Sequence, residues 1–317
     1  NNPVCLVSGS SSGIGSAIVR RFAAQGYDVT VHYNSGKDSS DPRSHKKPGA
    51  ERATVIVDEI HQEHGVEAIA LGADLGQPEA AFDLVDRTHE HFGRLDTVVS
   101  NSGVTNFVVD EAGKAVRYRF HETPIKHLAK EMDRVLSINL MGAYRLCQRS
   151  LKLMMDQAEQ DRQRGEEPRH RSILFVGSIS DVAPDSMRIP YGVSKAGLNH
   201  AVIGAAFEGG PHNITTNALR PGVVDTPLTS RPSGITDPET GDEFTVAETY
   251  GLMAEGGSQA LPWIAEPGDI AVAAYAFTQI PYMTGQLVAV DGGFTLAGGF
   301  PNRELFLNEG LRRRQRD

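Results

Sequence analysis

Short apolar runs alternate with longer stretches in which apolar residues recur at every third or fourth place. The runs read as strands and the stretches as amphipathic helices. Residues 3–8 form the first strand. The first helix covers 13–25, with Ile14, Ala17, Ile18 and Phe22 on one face and Gly26 as its stop. A strand at 28–33, a helix at 50–64, a strand at 66–71, a helix at 78–92 opened by Pro78, and a strand at 95–100 follow. Further on, the pattern predicts a long helix within 124–157, a strand at 172–177 and a helix at 191–207. A strand at 214–219, a helix at 266–278 and a last strand at 287–290 complete the series. Continuous apolar strands alternating with helices imply an α/β fold, a parallel sheet covered on both faces. No repeat or linker divides the chain, so one domain is expected over 1–297, with a C-terminal extension at 298–317.

Four segments break the rhythm. Residues 35–48 are polar and carry Lys37, Arg43, His45, Lys46 and Lys47, with Asp38 and Asp41 among them. Residues 105–123 read as a mixed loop, and 161–171, dense in both charge signs, as a solvated surface loop. Residues 228–262 are long and irregular enough to be a lid insert. Trp263 beside it either lines a substrate pocket or packs the lid down. The run Arg312–Arg313–Arg314–Gln315–Arg316 reads as a solvated or disordered end.

Charge narrows the partners. A net charge of -9 argues against a nucleic-acid or anionic-membrane surface. No apolar stretch approaches a membrane span, and no signal-peptide pattern precedes the first strand, so the expected location is the cytoplasm. Cys5 and Cys147 lie in apolar patterns and read as buried free thiols. His61 with His64, and His89 with His91, sit on amphipathic helices, and nothing completes a ligand set, so no metal site is expected.

The first strand runs into Ser8-Gly9-Ser10-Ser11-Ser12-Gly13-Ile14-Gly15 and then a helix. Glycines there let the backbone approach a pyrophosphate, which the helix N-terminus meets with free N–H groups. The spacing G-x-x-x-G-x-G resembles the cofactor loop of the classical short-chain dehydrogenase/reductase family, with Ser8 for the family's usual Thr. Asp74-Leu75 resembles the pair that contacts adenine. Asn101-Ser102-Gly103 resembles the Asn-Ala-Gly motif after the fourth strand. Pro221-Gly222, with Val224 and Thr226 beyond, resembles the turn around the nicotinamide, and 285–293 fits the last strand. The general likeness is to the 3-oxoacyl-acyl-carrier-protein-reductase-like branch. It implies a single-domain, doubly wound Rossmann fold with a mostly parallel seven-stranded sheet and helices on both faces.

Tyr191-Gly192-Val193-Ser194-Lys195 sets Tyr and Lys four apart, on one helix face. An ammonium beside a phenol favours the phenolate that acid/base chemistry at neutral pH needs. Ser178 ends a strand on the rim where ligands of parallel sheets bind. Asn139 is mid-helix, where its propensity is poor. The resemblance implies a catalytic tetrad of Asn139, Ser178, Tyr191 and Lys195. Tyr191 gives or takes the proton, Ser178 orients the substrate oxygen, Lys195 also bonds the nicotinamide ribose, and Asn139 holds a relay water.

The expected activity is hydride transfer between a nicotinamide and a carbonyl or secondary alcohol. A 3-oxoacyl-thioester reductase and a sugar or alcohol dehydrogenase both fit, and the alternative is a catalytically idle dinucleotide sensor. The second strand ends His32-Tyr33-Asn34-Ser35-Gly36, without the acid that would bond both ribose hydroxyls. Asn34, Ser35 and nearby Lys37 can meet a phosphate, so NADP(H) is favoured over NAD(H). The resemblance further implies a homotetramer or dimer, built partly on 124–157. The extension past Gly293 is expected to reach a neighbour.

Overall fold

The computed structural model describes residues 2–36, 48–106, 108–109, 115–116, 118–183, 187–238, 240–297 and 303–314. Strands β1 (Val4–Val7), β2 (Asp28–Asn34) and β3 (Ala68–Ala73) alternate with helices α1 (Gly13–Ala23) and α2 (Gly49–His64). Helix α3 (Ala80–Phe92) leads to β4 (Thr97–Ser100), and a short hairpin of β5 (Val108–Val109) and β6 (Ala115–Val116) follows. Helix α4 (Ile125–Val135), a π-helical stretch (Leu136–Gly142) and α5 (Ala143–Gln163) then run on without a break. Next come β7 (Arg171–Val176), α6 (Ile189–Gly209) and β8 (Ile214–Pro221). A second hairpin, β9 (Pro232–Thr236) with β10 (Glu243–Thr245), precedes α7 (Val246–Glu255). Helix α8 (Pro267–Thr278), β11 (Leu287–Val290) and α9 (Arg303–Arg314) complete the described chain.

Seven strands form one sheet in the order β11-β8-β7-β4-β1-β2-β3. Every neighbouring pair in it is parallel. The chain winds outward from β1 in one direction and from β4 in the other. Their carboxyl ends therefore open a crevice between the two loops that leave them, the usual ligand position in such sheets. This is the doubly wound Rossmann fold.

Why the strands are continuously apolar is visible in β1. Val4 and Leu6 enter a core shared with Leu84 of α3, Leu146 of α5 and Leu198 of α6. Cys5 and Val7 enter the opposite core with Ile18 of α1, Ile60 of α2 and Ile270 of α8. Each large side chain buried this way contributes about 1.5–3 kcal/mol. Cys5 and Cys147 are free and buried. Burial pushes both thiols up, Cys147 to about 12.

Three segments differ in part from the sequence reading. Of residues 161–171 only 164–170 form a solvated loop: α5 continues to Gln163, and across the two ends the Asp161 side chain is 3% exposed against the Arg171 side chain at 4%. Arg171 donates to Asp161 at 2.8 Å, Arg164 at 2.5 Å and the Arg169 N–H at 3.3 Å. Burial raises the Asp161 carboxyl, but these partners outweigh it and the group lies below its ordinary range. The described residues of 228–262 are less irregular than expected: they carry the β9–β10 hairpin and α7, with Phe244, Tyr250, Leu252 and Met253 in a small core of their own. The basic run is helical through Arg314, with Arg312, Arg313 and Arg314 exposed to solvent, the first of the two expected forms. Leu307 of α9 enters that same small core, and Arg313 donates to the Glu255 carbonyl at 2.8 Å. The remaining tail residues, Gln315 and Arg316, lie outside the described residues. No helix among the described residues is long and apolar enough to cross a membrane.

Candidate active site

A cleft of about 520 Å³ runs along the carboxyl edge of the sheet, a size suited to a small-molecule ligand. Its floor is the turn after β1. Gly9 and Gly13 both hold positive φ, +65° and +54°. The Ser8 hydroxyl accepts from the N–H groups of Asn101 (2.9 Å) and Ser102 (3.0 Å). The Asn101 amide donates back to the carbonyls of Ser8 (3.0 Å) and Gly9 (3.2 Å). The hydroxyl that replaces the family's Thr thus knots the turn to the loop after β4. Gly15 lies behind the turn, where a side chain would collide with the Gly9 carbonyl and the Asn101 amide. Gly13 faces Thr226 across the cleft: a Cβ there would sit 3.5 Å from the Thr226 Cβ. The turn after β8 therefore reaches over the N-terminus of α1, whose first N–H groups have no partner within the helix.

At the far end stand the chemical groups. Lys195 is 4% exposed; its ammonium donates to the Val176 carbonyl at 2.7 Å and lies 5.7 Å from the Tyr191 ring centroid. Ser178, in extended backbone just past β7, accepts from the Ser180 N–H (3.1 Å) and donates to the Ser180 hydroxyl (3.2 Å). Ser178, Ser180, Tyr191 and Lys195 all line the cleft. Asn139 does not. It is fully buried in the π-helical stretch, a turn type that gathers at functional sites. Its side chain bonds both backbone groups of Val104 at 2.8 Å and the Ser194 hydroxyl at 3.1 Å. A Cβ on Gly103 would sit 3.5 Å from the Asn139 oxygen and 3.7 Å from the Lys195 nitrogen, so the three residues adjoin.

At the near end, Asn34 and Asp74 line the cleft, with Gly36 close against the Asp74 carboxylate. The Asn34 oxygen accepts from the Gly36 N–H at 3.0 Å, leaving its amide N–H₂ as donor. Ser11, Ser12, Ile14, Leu75, Ser102, Gly103, Pro221, Gly222, Val224 and Thr226 are also brought to the wall. Ser35 is not in the wall; its N–H donates to the Ala73 carbonyl at 3.3 Å. Lys37, Arg43, Lys46 and Lys47, with Asp38 and Asp41, lie outside the described residues. Trp263, 56% exposed, is neither in the wall nor packed down. Among the described residues no cluster of His, Cys, Asp and Glu could hold a metal ion.

A model of the family described as short chain dehydrogenase matches residues 3–233. This chain belongs to that family. A 3beta-hydroxysteroid dehydrogenase 1 of Eggerthella lenta is 30% identical over 93% of this chain and 94% of its own. An L-rhamnose 1-dehydrogenase (NAD(P)(+)) of Azotobacter vinelandii is 29% identical over 91% of this chain and 94% of its own. The crystal structure of a 3-oxoacyl-acyl-carrier-protein reductase from Brucella melitensis in complex with NAD is similar with a TM-score of 0.71. It is 25% identical in sequence, over 93% of this chain and 98% of that one. The short-chain dehydrogenase is thus an NAD(P)-linked oxidoreductase.

The cleft-wall residues that sequence reasoning missed include His32, Arg52, Ser180 and Arg231. Arg52 had a signal. It stands in the first turn of α2, directly after the basic insert, and that turn opens on the carboxyl edge of the sheet. Its guanidinium donates to the Ser11 carbonyl (3.1 Å) and hydroxyl (3.3 Å), and burial lowers its pKa.

Proposed function

We propose that the protein interconverts a carbonyl and a secondary alcohol, with Tyr191 as the acid/base. The observation that carries this reading is the buried Lys195 ammonium, fixed by the Val176 carbonyl and set over the Tyr191 ring at the cleft wall. The glycine turn, the facing Thr226 and the Asp74 end fit a dinucleotide, and a bound nicotinamide would supply or accept the hydride. Tyr191 holds the proton that moves to or from the substrate oxygen. Lys195 stabilises negative charge on the phenol oxygen. Ser178 turns its hydroxyl from Ser180 toward the substrate oxygen. Asn139, beside Lys195 across Gly103, holds the water that refills the proton.

The test follows cofactor absorbance over a panel of 3-oxoacyl thioesters, sugars and hydroxysteroids. Tyr191→Phe is expected to lose about 10²–10⁴-fold in turnover, the range of general acid–base catalysis, while still binding cofactor. Lys195→Ala is expected to weaken both. Near-normal turnover in Tyr191→Phe rules out the assignment, and cofactor binding with no turnover by the wild type would mark an idle sensor.

For the cofactor, the reading is NADP(H) ahead of NAD(H). No acid stands at the end of β2, and Arg52 brings a guanidinium to the same end of the cleft as the Asn34 amide. A charge-assisted bond to a 2′-phosphate is roughly twice as strong as a neutral one. Arg52→Gln is expected to weaken NADP+ binding about tenfold, or about 1.4 kcal/mol, and to leave NAD+ nearly unchanged in calorimetric titration. Equal losses for both cofactors would remove Arg52 from phosphate recognition.

We read 228–262 as a lid over the reacting end, since Arg231, Val246 and Tyr250 from it line the cleft. The domain then spans 1–297, with 298–317 as an extension. Two buried, unpaired thiols suit a reducing compartment, the cytoplasm. We also read the protein as a homo-oligomer, a tetramer or dimer.

A further inference from the structure

His32 has no part in the reading above, yet it joins three pieces of the cofactor site. It stands near the end of β2, 2% exposed, in the cleft wall. Its backbone pairs with Ser10 of the glycine turn: its N–H donates to the Ser10 hydroxyl, and its carbonyl accepts from the Ser10 N–H, both at 2.9 Å. The ring goes further. Its Nδ1 accepts from the Gly9 N–H at 2.8 Å, and its Nε2 meets the Ala73 carbonyl at 3.1 Å. Those two bonds require the neutral ring with its hydrogen on Nε2, because an amide N–H can only donate and a carbonyl can only accept. Burial supports the neutral form, pushing the pKa down to about 4.

We propose that His32 is a positioning residue for dinucleotide binding, whose imidazole locks the Gly9 turn against the end of β3. The inference rests on the reading of the cleft as a dinucleotide site. Gly9 is the point where the chain leaves β1 in a left-handed conformation, and Ala73 immediately precedes Asp74. One ring therefore sets the floor of the cleft and the wall at its Asp74 end relative to each other. A residue without an acceptor at Nδ1 would strand a buried backbone N–H, which is costly. The turn would relieve this by rotating Gly9, and binding would then have to restore its shape.

Two amide variants separate positioning from mere packing. In His32→Asn the side-chain oxygen can take the place of Nδ1 and accept from Gly9, but nothing reaches Ala73. In His32→Gln the amide nitrogen can take the place of Nε2 and reach Ala73, but Gly9 loses its acceptor. The readouts are the dissociation constant of NADP+ or NAD+ by calorimetry and kcat at saturating cofactor. His32→Asn is expected to stay within about threefold of the wild-type constant, and His32→Gln to weaken it about tenfold or more, with kcat unchanged in both. Equal weakening in the two variants, no weakening in either, or a fall in kcat overturns the proposal. If a variant fails to fold, nitrogen-15 spectra of the wild-type histidines decide. A neutral His32 with hydrogen on Nε2, its Nδ1 signal moving when cofactor is added, supports the proposal. Hydrogen on Nδ1, or a signal indifferent to cofactor, overturns it. A wild type that binds neither dinucleotide would instead end the reading of the cleft itself.

Discussion

Protonation of His32 also limits the fold on the acid side. Its pKa falls from 6.5 to about 4 in the folded protein, because burial disfavours the imidazolium. Between those values the unfolded chain binds a proton that the folded chain does not, so stability falls as pH falls. The contribution is complete above pH 6.5 and is lost progressively down to about pH 4. A shift of that size corresponds to about 3 kcal/mol. Melting curves of wild type and His32→Asn across this window are expected to differ in slope, with the variant less acid-sensitive. Parallel curves would show that other groups govern the acid limb. The same residue shows what was legible at this scale. Ser8, Gly9, Gly13, Asn101, Tyr191 and Lys195 stand in motifs whose local spacing could be read from the chain, and the structure gathers them around one cleft. His32 and Arg52 carry theirs only because β2 lies beside β1 and α2 turns back over the glycine turn. That juxtaposition leaves no periodic or motif signal for His32, and for Arg52 only its place directly after the basic insert.

Among elements, the strands and the helices between them were legible because the inner strands are buried on both faces and the helices along one stripe. The structured parts of 161–171 and 228–262 were not. A buried pair such as Asp161–Arg171 looks like any charged stretch until the end of α5 is brought against the start of β7. Helix α7 was hidden for a related reason: its apolar residues pack on α9, which follows it by almost fifty positions. Backbones touch where they cross, since a side chain on Gly256 would collide with the Phe306 carbonyl and one on Gly310 with the Leu252 carbonyl. Helix α7 also supplies Val246 and Tyr250 to the cleft, so α9 buttresses that part of the wall from outside. Gly310→Leu is expected to undock α9 and to speed proteolytic cutting within 228–262. Substrate KM should rise severalfold, roughly 1 kcal/mol of lost binding, while cofactor affinity holds. Unchanged cutting and unchanged KM would show that 228–262 keeps its place without α9.

For the whole molecule, the decisive feature is a helix that is apolar on both sides. Helix α6 buries Ser194, Leu198, Val202 and Ala205 toward the sheet. Its outer side exposes Val193, Ala196, His200, Ile203 and Phe207, alternately three and four residues apart and therefore on one stripe. A surface helix normally turns a polar face to water, and one that is apolar all round is buried. Phe207 is 88% exposed and Ile203 50%, and Tyr144 on the neighbouring α5 is 48% exposed. Burying such a patch against a second copy supplies about 1.5–3 kcal/mol for each large side chain, before the cost of association. A two-fold arrangement would set the stripe against itself, because a symmetric dimer uses the same surface on both subunits. Tyr191 and Lys195 sit in the first turns of the same helix, so such packing would also stiffen the end of α6 that lines the cleft. Light scattering of the wild type at micromolar concentration is expected to give a dimer or tetramer. Phe207→Asp, which sets like charges face to face on the stripe, is expected to lower the mass toward the monomer and to reduce the melting temperature with it. A wild type that is already a monomer at that concentration would refute the assembly. A Phe207→Asp protein of unchanged mass would move the interface away from α6.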